Sequence, residues 1–561
     1  MQIVKSGGQS FEAIRTGNYF YVDKTFFIRE WWEAGDDVTL ITRPRRFGKT
    51  LNMDMLKCFF STEYTGRSDL FEGLDIWKEE KYRELQGTYP VIFLSFARIK
   101  RDNARSAIDA ICNLLSQTYE EYSFLLYSDK LEESEKNRYR RYCNGVDAEN
   151  APDALNFLSG YLYKHFGKKV LIFLDEYDTP LQEAYVNGYW DEMSSFIRSL
   201  FNSTFKSNQY LERAIMTGIT RVSKESIFSD LNNLTVVTTT TDQYETCFGF
   251  TQEEVDNALD KYQLSDQKET VKKWYDGFTF GVVSDIYNPW SITQFLKYNG
   301  KYQPYWANTS DNGLISHELQ IADNGIKNRM EDLLNGGTIE TEIDEQIIFS
   351  QLETNPEAIW SLFLASGYLK VVSSKFDGRR YRYVLKITNL EVELMFQSLI
   401  SLWFRKVSSH YNDFIEALIS ENAEGAQIAL RDVLLNTVSF YDTSVHQTLN
   451  EKTESFYHGL VLGMIAQEEE YRITSNRESG YGRYDIMMKP LKKDLPGIII
   501  EFKVFDSDME RTLEETAERA LIQILEKKYD TELIAEGIPE EKIIHYGMGF
   551  RGKDVVIKAE K

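Results

Sequence analysis

The stretch Lys168–Glu176, KKVLIFLDE, sets the tightest limit on what this chain can become. Its apolar run from Val170 to Leu174 lacks the alternation that leaves one face of a strand in water. Such a strand is buried on both faces, as in a parallel sheet covered by helices. Val38–Ile41, Val91–Leu94 and Ala214–Met216 are runs of the same kind. Segments with helical spacing lie between them, among them Ala107–Tyr119 and Ala154–His165. Strands alternating with helices predict an α/β layer with a parallel sheet over residues 1–250.

The run Val38–Ile41 leads into Arg43-Pro44-Arg45-Arg46-Phe47-Gly48-Lys49-Thr50, and a helix-compatible run, Leu51–Lys57, follows. The loop ends as a phosphate-binding loop does, G-x-x-x-x-G-K-[ST], but Arg43 stands where the first glycine belongs. Strand, loop and helix are the setting that motif requires. Backbone N–H groups at a helix N-terminus aim at phosphate oxygens. Gly48 would let the backbone come close, Lys49 would reach the β- and γ-phosphates, and the Thr50 hydroxyl would hold Mg²⁺. The missing glycine only shapes the opening turn, which Pro44 fixes in another way. Arg46 is a further candidate on the phosphate side. The competing reading is a basic surface loop before a helix. Asp175 and Glu176 weigh against it, because acids at the carboxyl end of a parallel strand lie where open α/β sheets bind ligands. Asp175 is expected in the Mg²⁺ shell on a strand next to the loop's own, Glu176 to polarise the attacking water, and Asp178 behind them. The fourth strand ends in Thr217-Gly218-Ile219-Thr220-Arg221. Thr217 or Thr220 could sense the γ-phosphate and Arg221 could face phosphate; a strand-end turn with a surface arginine fits equally.

A second constellation lies near the C-terminus. Gly482–Met488 and Gly497–Val504 read as strands joined by a turn over Pro490–Pro496, followed by a helix at Leu513–Tyr529 and a strand at Ile543–Phe550. Alternate side chains of a strand share a face, so Glu501 and Lys503 project together and Phe502 turns away. A hairpin partner can bring Asp485 to the same edge. Two carboxylates suit Mg²⁺, or Mn²⁺, and Lys503 would orient water or stabilise the charge of a phosphoryl centre. The competing reading is an ordinary hairpin with a Glu501–Lys503 surface ion pair. On the residues alone the ordinary hairpin is the better bet, and the apolar Ile498–Ile500 leading straight into charge shifts weight towards the metal site.

Between these regions, Thr251 with Glu254 reads as a helix N-cap. Three aromatic stretches follow: Trp274–Phe278, Tyr287–Ser291 and Tyr305–Thr309. Their rings could stack on a base, but packing of a small helical lid is favoured. Ser361–Lys370 reads as a helix that ends at Gly367 and enters a strand, and Tyr381–Ile387 as a second strand, together a winged-helix-like unit. It has no basic recognition helix, which favours a lid role. Residues 391–438 read as helical. The expected domains are 1–250, 251–440 and 441–561.

Tyr21-Val22-Asp23-Lys24-Thr25, RPRRFGKTLNM from Arg43, FLDEYDTPL from Phe173 and MTGITRVSKESIFSDLNNL from Met216 together resemble the AAA-ATPase-like family of bacterial P-loop proteins. Members of that family typically carry a PD-(D/E)xK nuclease-like domain at the C-terminus. The resemblance implies that the absent glycine is a family trait. It implies ATP binding through Lys49 and Thr50, and Mg²⁺ and hydrolysis roles for Asp175 and Glu176. Tyr21–Thr25 precede the first strand in that family's pattern, and packing on the adenine side is one reading of them. Asp485, Glu501 and Lys503 resemble the PD-(D/E)xK core. Gln523 and Tyr529 resemble the Gln and Tyr that support such sites, and His458 or Glu454 stands for the acidic residue on that fold's first helix. The implied fold class is α/β: a P-loop NTPase sheet, a helical and winged-helix-like lid, and a restriction-endonuclease-like C-terminal domain. The expected activity is an ATPase coupled to a Mg²⁺-dependent nuclease acting on DNA, in defence or DNA processing. The alternative is an ATP-controlled switch or scaffold whose nuclease-like domain cuts nothing.

Charge bears on that choice. The net charge is −23, and residues 451–561 hold 17 Lys and Arg against 23 Asp and Glu. This disfavours broad nucleic-acid binding, though not a local basic groove. The four cysteines are scattered with no C-x-x-C pair, which points to a reducing compartment. The N-terminus lacks the apolar core of a signal peptide, and no window of about 18 apolar residues exists to span a membrane. A cytoplasmic protein without a membrane partner is expected, and a homo-oligomer is compatible with the sequence.

Overall fold

The computed structural model describes residues 2–220, 227–228, 231–307, 318–319, 324–334, 336–344, 355, 357–405, 408–437, 457–458, 460–462, 464–465, 468, 470–480, 482–492, 495–507 and 509–560. The chain forms two compact units. The first comprises Met1–Ala322 with Asp332–Met395, the second Asp323–Glu331 with Phe396–Lys561. Among the described residues no helix is long and apolar enough to cross a membrane.

The first unit is built on five parallel strands: β1 (Val38–Thr42), β2 (Val91–Ser95), β3 (Val170–Asp175), β4 (Leu211–Gly218) and β5 (Leu234–Val237), in the order β2-β3-β4-β1-β5. Every residue of β1 and β3 is buried, which is why their apolar runs are continuous. The helices Ala104–Glu121 and Ala151–Phe166 extend the expected segments by a turn or less at each end. Two expectations need correction. The sheet has a fifth strand, β5, whose short Leu-Thr-Val-Val is only partly buried at the sheet edge. The strand carrying Asp175 is not next to the strand leading into the Gly-Lys-Thr loop; β4 lies between them. Strand order is set by crossover connections between distant segments, which local patterning does not report. The order reverses at β1, so its carboxyl end opens a crevice of the kind that binds ligands in such sheets.

A small antiparallel sheet follows, made of β6 (Phe250–Thr251), β7 (Phe278–Phe280) and β8 (Val283–Tyr287) in the order β6-β8-β7. Thr251 caps the helix Gln252–Lys261 in a full capping box with Glu254. Tyr275, Tyr287, Phe295 and Tyr305 are buried in one cluster with Val255 and Ile292, so most of the aromatic signatures serve packing. The third sheet holds β9 (Ile339–Glu342), β10 (Leu369–Phe376) and β11 (Tyr381–Ile387), with β11 in the middle. The helix Ala358–Ala365 leads into β10 through Gly367, whose φ is 86°.

The second unit is a mixed sheet ordered β12-β13-β14-β15-β16: β12 (Tyr471–Ser479), β13 (Gly482–Pro490), β14 (Gly497–Val504), β15 (Ile543–Arg551) and β16 (Asp554–Glu560). Only the β14–β15 pair is parallel. One face, with Ile498, Ile500 and Phe502, packs on Phe414, Leu418, Leu430 and Val433 of the helices Ser408–Ile419 and Ala423–Thr437. The other, with Met487 and Ile499, packs on Leu521 and Ile524 of the helix Leu513–Lys527. Period-two alternation therefore puts Glu501 and Lys503 on the face of that helix.

Candidate functional site

In the first unit the charged loop closes over the carboxyl ends of β1, β3 and β4. Gly48 caps the helix Lys49–Phe60 with φ 82°, a left-handed conformation that glycine adopts without penalty. Among the described residues no side-chain hydrogen bond caps the N-terminus of that helix. Lys49 is buried, and its ammonium donates to the carbonyls of Arg43 (2.8 Å) and Pro44 (2.9 Å). Burial pulls its pKa below the ordinary lysine value, and the nearby Glu176, Asp178 and Asp175 pull the other way. Asp175 is clamped from two sides. Thr50 Oγ1 donates to Oδ2 at 2.7 Å, and Thr217 Oγ1 donates to Oδ1 at 2.6 Å. Thr217 lies on β4, so the intervening strand supplies the residue that holds Asp175 in place.

Glu176 follows with φ 52°, a left-handed backbone that costs a non-glycine residue about 1 kcal/mol or more. Its N–H reaches Thr217 Oγ1 at 3.4 Å. Burial raises its carboxyl pKa, Lys49 opposes this, and Asp175 and Asp178 add to the rise. A carboxyl held above its usual range is a stronger base than an ordinary carboxylate. Asp178 Oδ2 accepts from the N–H groups of Ile219 (2.8 Å) and Thr220 (3.0 Å). Thr220 thus belongs to Asp178, while Thr217 belongs to Asp175. Arg221 and Glu454 lie outside the described residues.

Arg43 answers the puzzle of the missing glycine. Its side chain turns into the protein and is fully buried. The guanidinium donates to the carbonyls of Thr42 (2.9 Å), Thr238 (2.6 Å) and Gln243 (3.2 Å), and lies 4.5 Å from the centre of the Phe280 ring. Burial pushes its pKa down to about 10. It ties the loop to the chain after β5, work that no glycine could do. Arg43→Gly, which restores the common motif, is therefore expected to destabilise the first unit. Buried carbonyls would lose their donor, at a cost of about 3 kcal/mol or more. A lowered urea midpoint with unchanged slope would report it.

A cleft of about 480 Å³ runs along this loop, lined by Arg46, Lys49, Thr50, Glu176, Tyr21 and Trp290 among others. Arg46 has φ 67° and lays its guanidinium over the Trp290 ring, 4.4 Å from the centre. Tyr21, Val22 and Lys24 line the cleft, and Lys24 is held by Glu254 at 2.7 Å and by the Thr246 carbonyl at 2.8 Å. Sequence reasoning missed the brace behind the loop. The Arg45 carbonyl accepts from Trp306 Nε1 (3.0 Å) and Asn288 Nδ2 (3.3 Å). Both donors come from the aromatic signatures, and a buried Glu391 ties the same two segments together. It accepts from Ser291 Oγ (2.8 Å), Trp306 N (2.5 Å) and Ala307 N (3.4 Å). Three polar groups on one acid, scattered over a hundred residues, left no local signal.

Burial raises Glu391 to about 7, against the pull of those three donors. An unfolded glutamate ionises near 4.3. Between these values the native state holds a proton that the unfolded chain has released, so stability falls as pH rises. The loss approaches about 3 kcal/mol by pH 7, at 1.36 kcal/mol per pH unit. Glu391→Gln should flatten that slope in urea unfolding at pH 5 and pH 7.5.

In the second unit the β13–β14 ladder stops at Ile486 and Ile500. One residue beyond, the Asp485 carboxylate replaces the ladder and accepts the Phe502 N–H at 2.8 Å. Burial raises the Asp485 pKa; that N–H, Lys503, His458 and a hydrogen bond with Glu501 oppose the rise. Lys503 Nζ stands 3.5 Å from Glu501 Oε1. Gln523 donates from its amide to Glu501 Oε1 and, at 3.2 Å, to the Tyr529 hydroxyl. Gly547, the register partner of Glu501 on β15, makes this possible. A Cβ there would lie 2.3 Å from the Ala517 carbonyl, so glycine lets the Gln523 helix settle on the sheet. His458 Nε2 lies 2.8 Å from Ser475 Oγ and 3.1 Å from the Asp485 carbonyl, behind the acids. Asp485, Glu501, Lys503, Gln523 and Tyr529 are thus brought together. The adjoining carboxylates are all-oxygen donors suited to a hard divalent cation. Thr50 beside Asp175 offers the same chemistry in the first unit.

The comparisons follow this division. Residues 5–228 match the family model described as Predicted AAA-ATPase, and residues 452–560 the one described as PD-(D/E)XK nuclease superfamily. An "Uncharacterized protein in vnfD 5'region" of Azotobacter chroococcum mcd 1 is 27% identical over 394 residues, 69% of this chain and 67% of that protein.

Proposed function

Because the chain joins an AAA-ATPase-like domain to a C-terminal domain of the PD-(D/E)XK nuclease superfamily, we propose that it hydrolyses ATP and cuts DNA in a divalent-metal-dependent reaction. The observation that carries the reading is the meeting of Asp485, Glu501 and Lys503 on one sheet face, held by Gln523. A domain that only contacts a partner would not need two adjoining buried acids, which cost stability unless a cation or proton answers them.

In the first unit Lys49 would leave the Arg43 and Pro44 carbonyls for the β- and γ-phosphates, while the first N–H groups of the helix Lys49–Phe60 would hold the phosphate oxygens. Thr50 and Asp175 would hold Mg²⁺, with Thr217 keeping Asp175 in position. Glu176 would take the proton of the attacking water. In the second unit Asp485 and Glu501 would hold the ion, and Lys503 would stabilise charge on the scissile phosphate. Bound Mg²⁺ supplies charge neutralisation at both centres and a water of lowered pKa. Gln523 and Tyr529 keep Glu501 in a single orientation.

The test is ATP turnover, with nicking of plasmid and linear DNA, in Mg²⁺ or Mn²⁺, with and without ATP. Metal-dependent cutting that EDTA stops is expected. ATP turnover with no cutting in either metal would leave the switch or scaffold reading, which the chain's net charge of −23 favours.

A further inference from the structure

The β10–β11 hairpin runs against the character of the rest of the chain. Residues 369–387 hold six Lys and Arg and one Asp, in a protein of net charge −23. Every residue from 372 to 382 is exposed. Phe376 and Tyr381 are register partners across the hairpin, their ring centres 5.1 Å apart, and they remain 54% and 55% exposed. Tyr383 continues the row, 6.3 Å from Tyr381. Asp377 builds the tip: its Oδ1 accepts the N–H groups of Arg379 and Arg380, both at 2.9 Å. Lys375 pairs in register with Arg382 and so faces away from the ring row. Part of the charge is answered locally, through Arg380 with Glu342 (2.6 Å) and Arg382 with Glu340 (3.5 Å) and Asp377 (3.6 Å). Among the described residues Lys375 and Arg379 make no ion pair.

We propose that this hairpin grips single-stranded DNA, with bases stacked on Phe376 and Tyr381 and the backbone wrapped over the tip, where phosphates meet Arg379 and, on the opposite face, Lys375. Open aromatic rings with cations at the tip and on the reverse face are a combination that holds a single strand, because stacking needs an unpaired base. A duplex hides its base faces and would leave the rings idle. The local charge is complementary to a polyanion, while the chain as a whole repels one. The proposal takes its polymer from the proposed function but needs no cleavage, so the two stand or fall on separate measurements.

The test is binding of a fluorescein-labelled 30-nucleotide single strand to the full chain in EDTA, over a salt series. Parallel arms use the duplex of the same sequence, an RNA strand, and phosphatidylserine vesicles. Phe376→Ala and Tyr381→Ala should each weaken single-strand binding about five-fold or more. Lys375→Glu with Arg379→Glu should weaken it and lower the salt slope by about 1.4. All four side chains are exposed, so unchanged melting of each variant is the control for folding. Single-strand binding untouched by these changes overturns the proposal, as does tighter binding of duplex or RNA, binding to vesicles alone, or no binding at all. Loss of binding in variants that still cut plasmid would uphold the hairpin's role and leave the nuclease assignment intact.

Discussion

Lys49→Ala is expected to remove ATP turnover, by about 10²–10³-fold, the usual cost of losing one preorganised charge-stabilising donor. The reason lies in where the ammonium sits. It is buried and spends its hydrogen bonds on two carbonyls of its own loop. Its charge has been partly stripped of water already, so little solvent need be displaced when phosphate replaces those carbonyls. Glu176→Gln should separate binding from chemistry. It keeps the shape of the side chain but cannot take a proton, so nucleotide affinity should survive while turnover falls. The measurements are fluorescent-nucleotide binding and phosphate release on the same preparations. Full turnover by Lys49→Ala would move the site elsewhere. Lost binding in Glu176→Gln would make Glu176 a structural support rather than a base.

The N-terminal chemistry was readable because its parts lie in short continuous segments. The apolar run into Asp175 and Glu176, and the loop ending in Gly48, Lys49 and Thr50, each carry position and chemistry together. The relation between them was not readable. Lys49 and Asp175 share a site across an intervening strand, and Thr217 on that strand closes the gap by bonding Asp175. Arg43 looked like a defect of the motif because its partners, Thr238 and Gln243, lie about two hundred residues on. Glu391 gave no signal for the same reason. In the second unit, β14 was legible to the residue because Ile498–Ile500 is buried on both faces. β12 carries no such run: Arg472, Thr474 and Ser475 put polar residues into an edge strand. Periodicity reports burial, and edges are where burial is incomplete.

The second large effect is expected at Glu501. Glu501→Ala should abolish metal-dependent cutting while leaving ATP turnover in place. Glu501 is the member of the acid pair with the most support: Gln523 bonds it, Lys503 stands 3.5 Å away, and Asp485 shares a hydrogen bond with it. Its removal leaves Asp485 as a single carboxylate, which cannot by itself hold a divalent ion firmly. The loss should be about 10³-fold or more, since ion and electrostatic stabilisation go together. Glu501 also answers Lys503 and Gln523, so Glu501→Ala loses those contacts and should lower the melting temperature in EDTA. Cutting lost in Mg²⁺ while ATP turnover persists is the paired outcome that separates lost chemistry from a lost fold. Gln523→Ala provides the graded control, since it loosens Glu501 without removing it. Its cutting should fall less than that of Glu501→Ala and recover at higher metal concentration. Undiminished cutting by Glu501→Ala would show that Glu501 and Lys503 form only an ion pair on a hairpin and that the nuclease centre lies elsewhere.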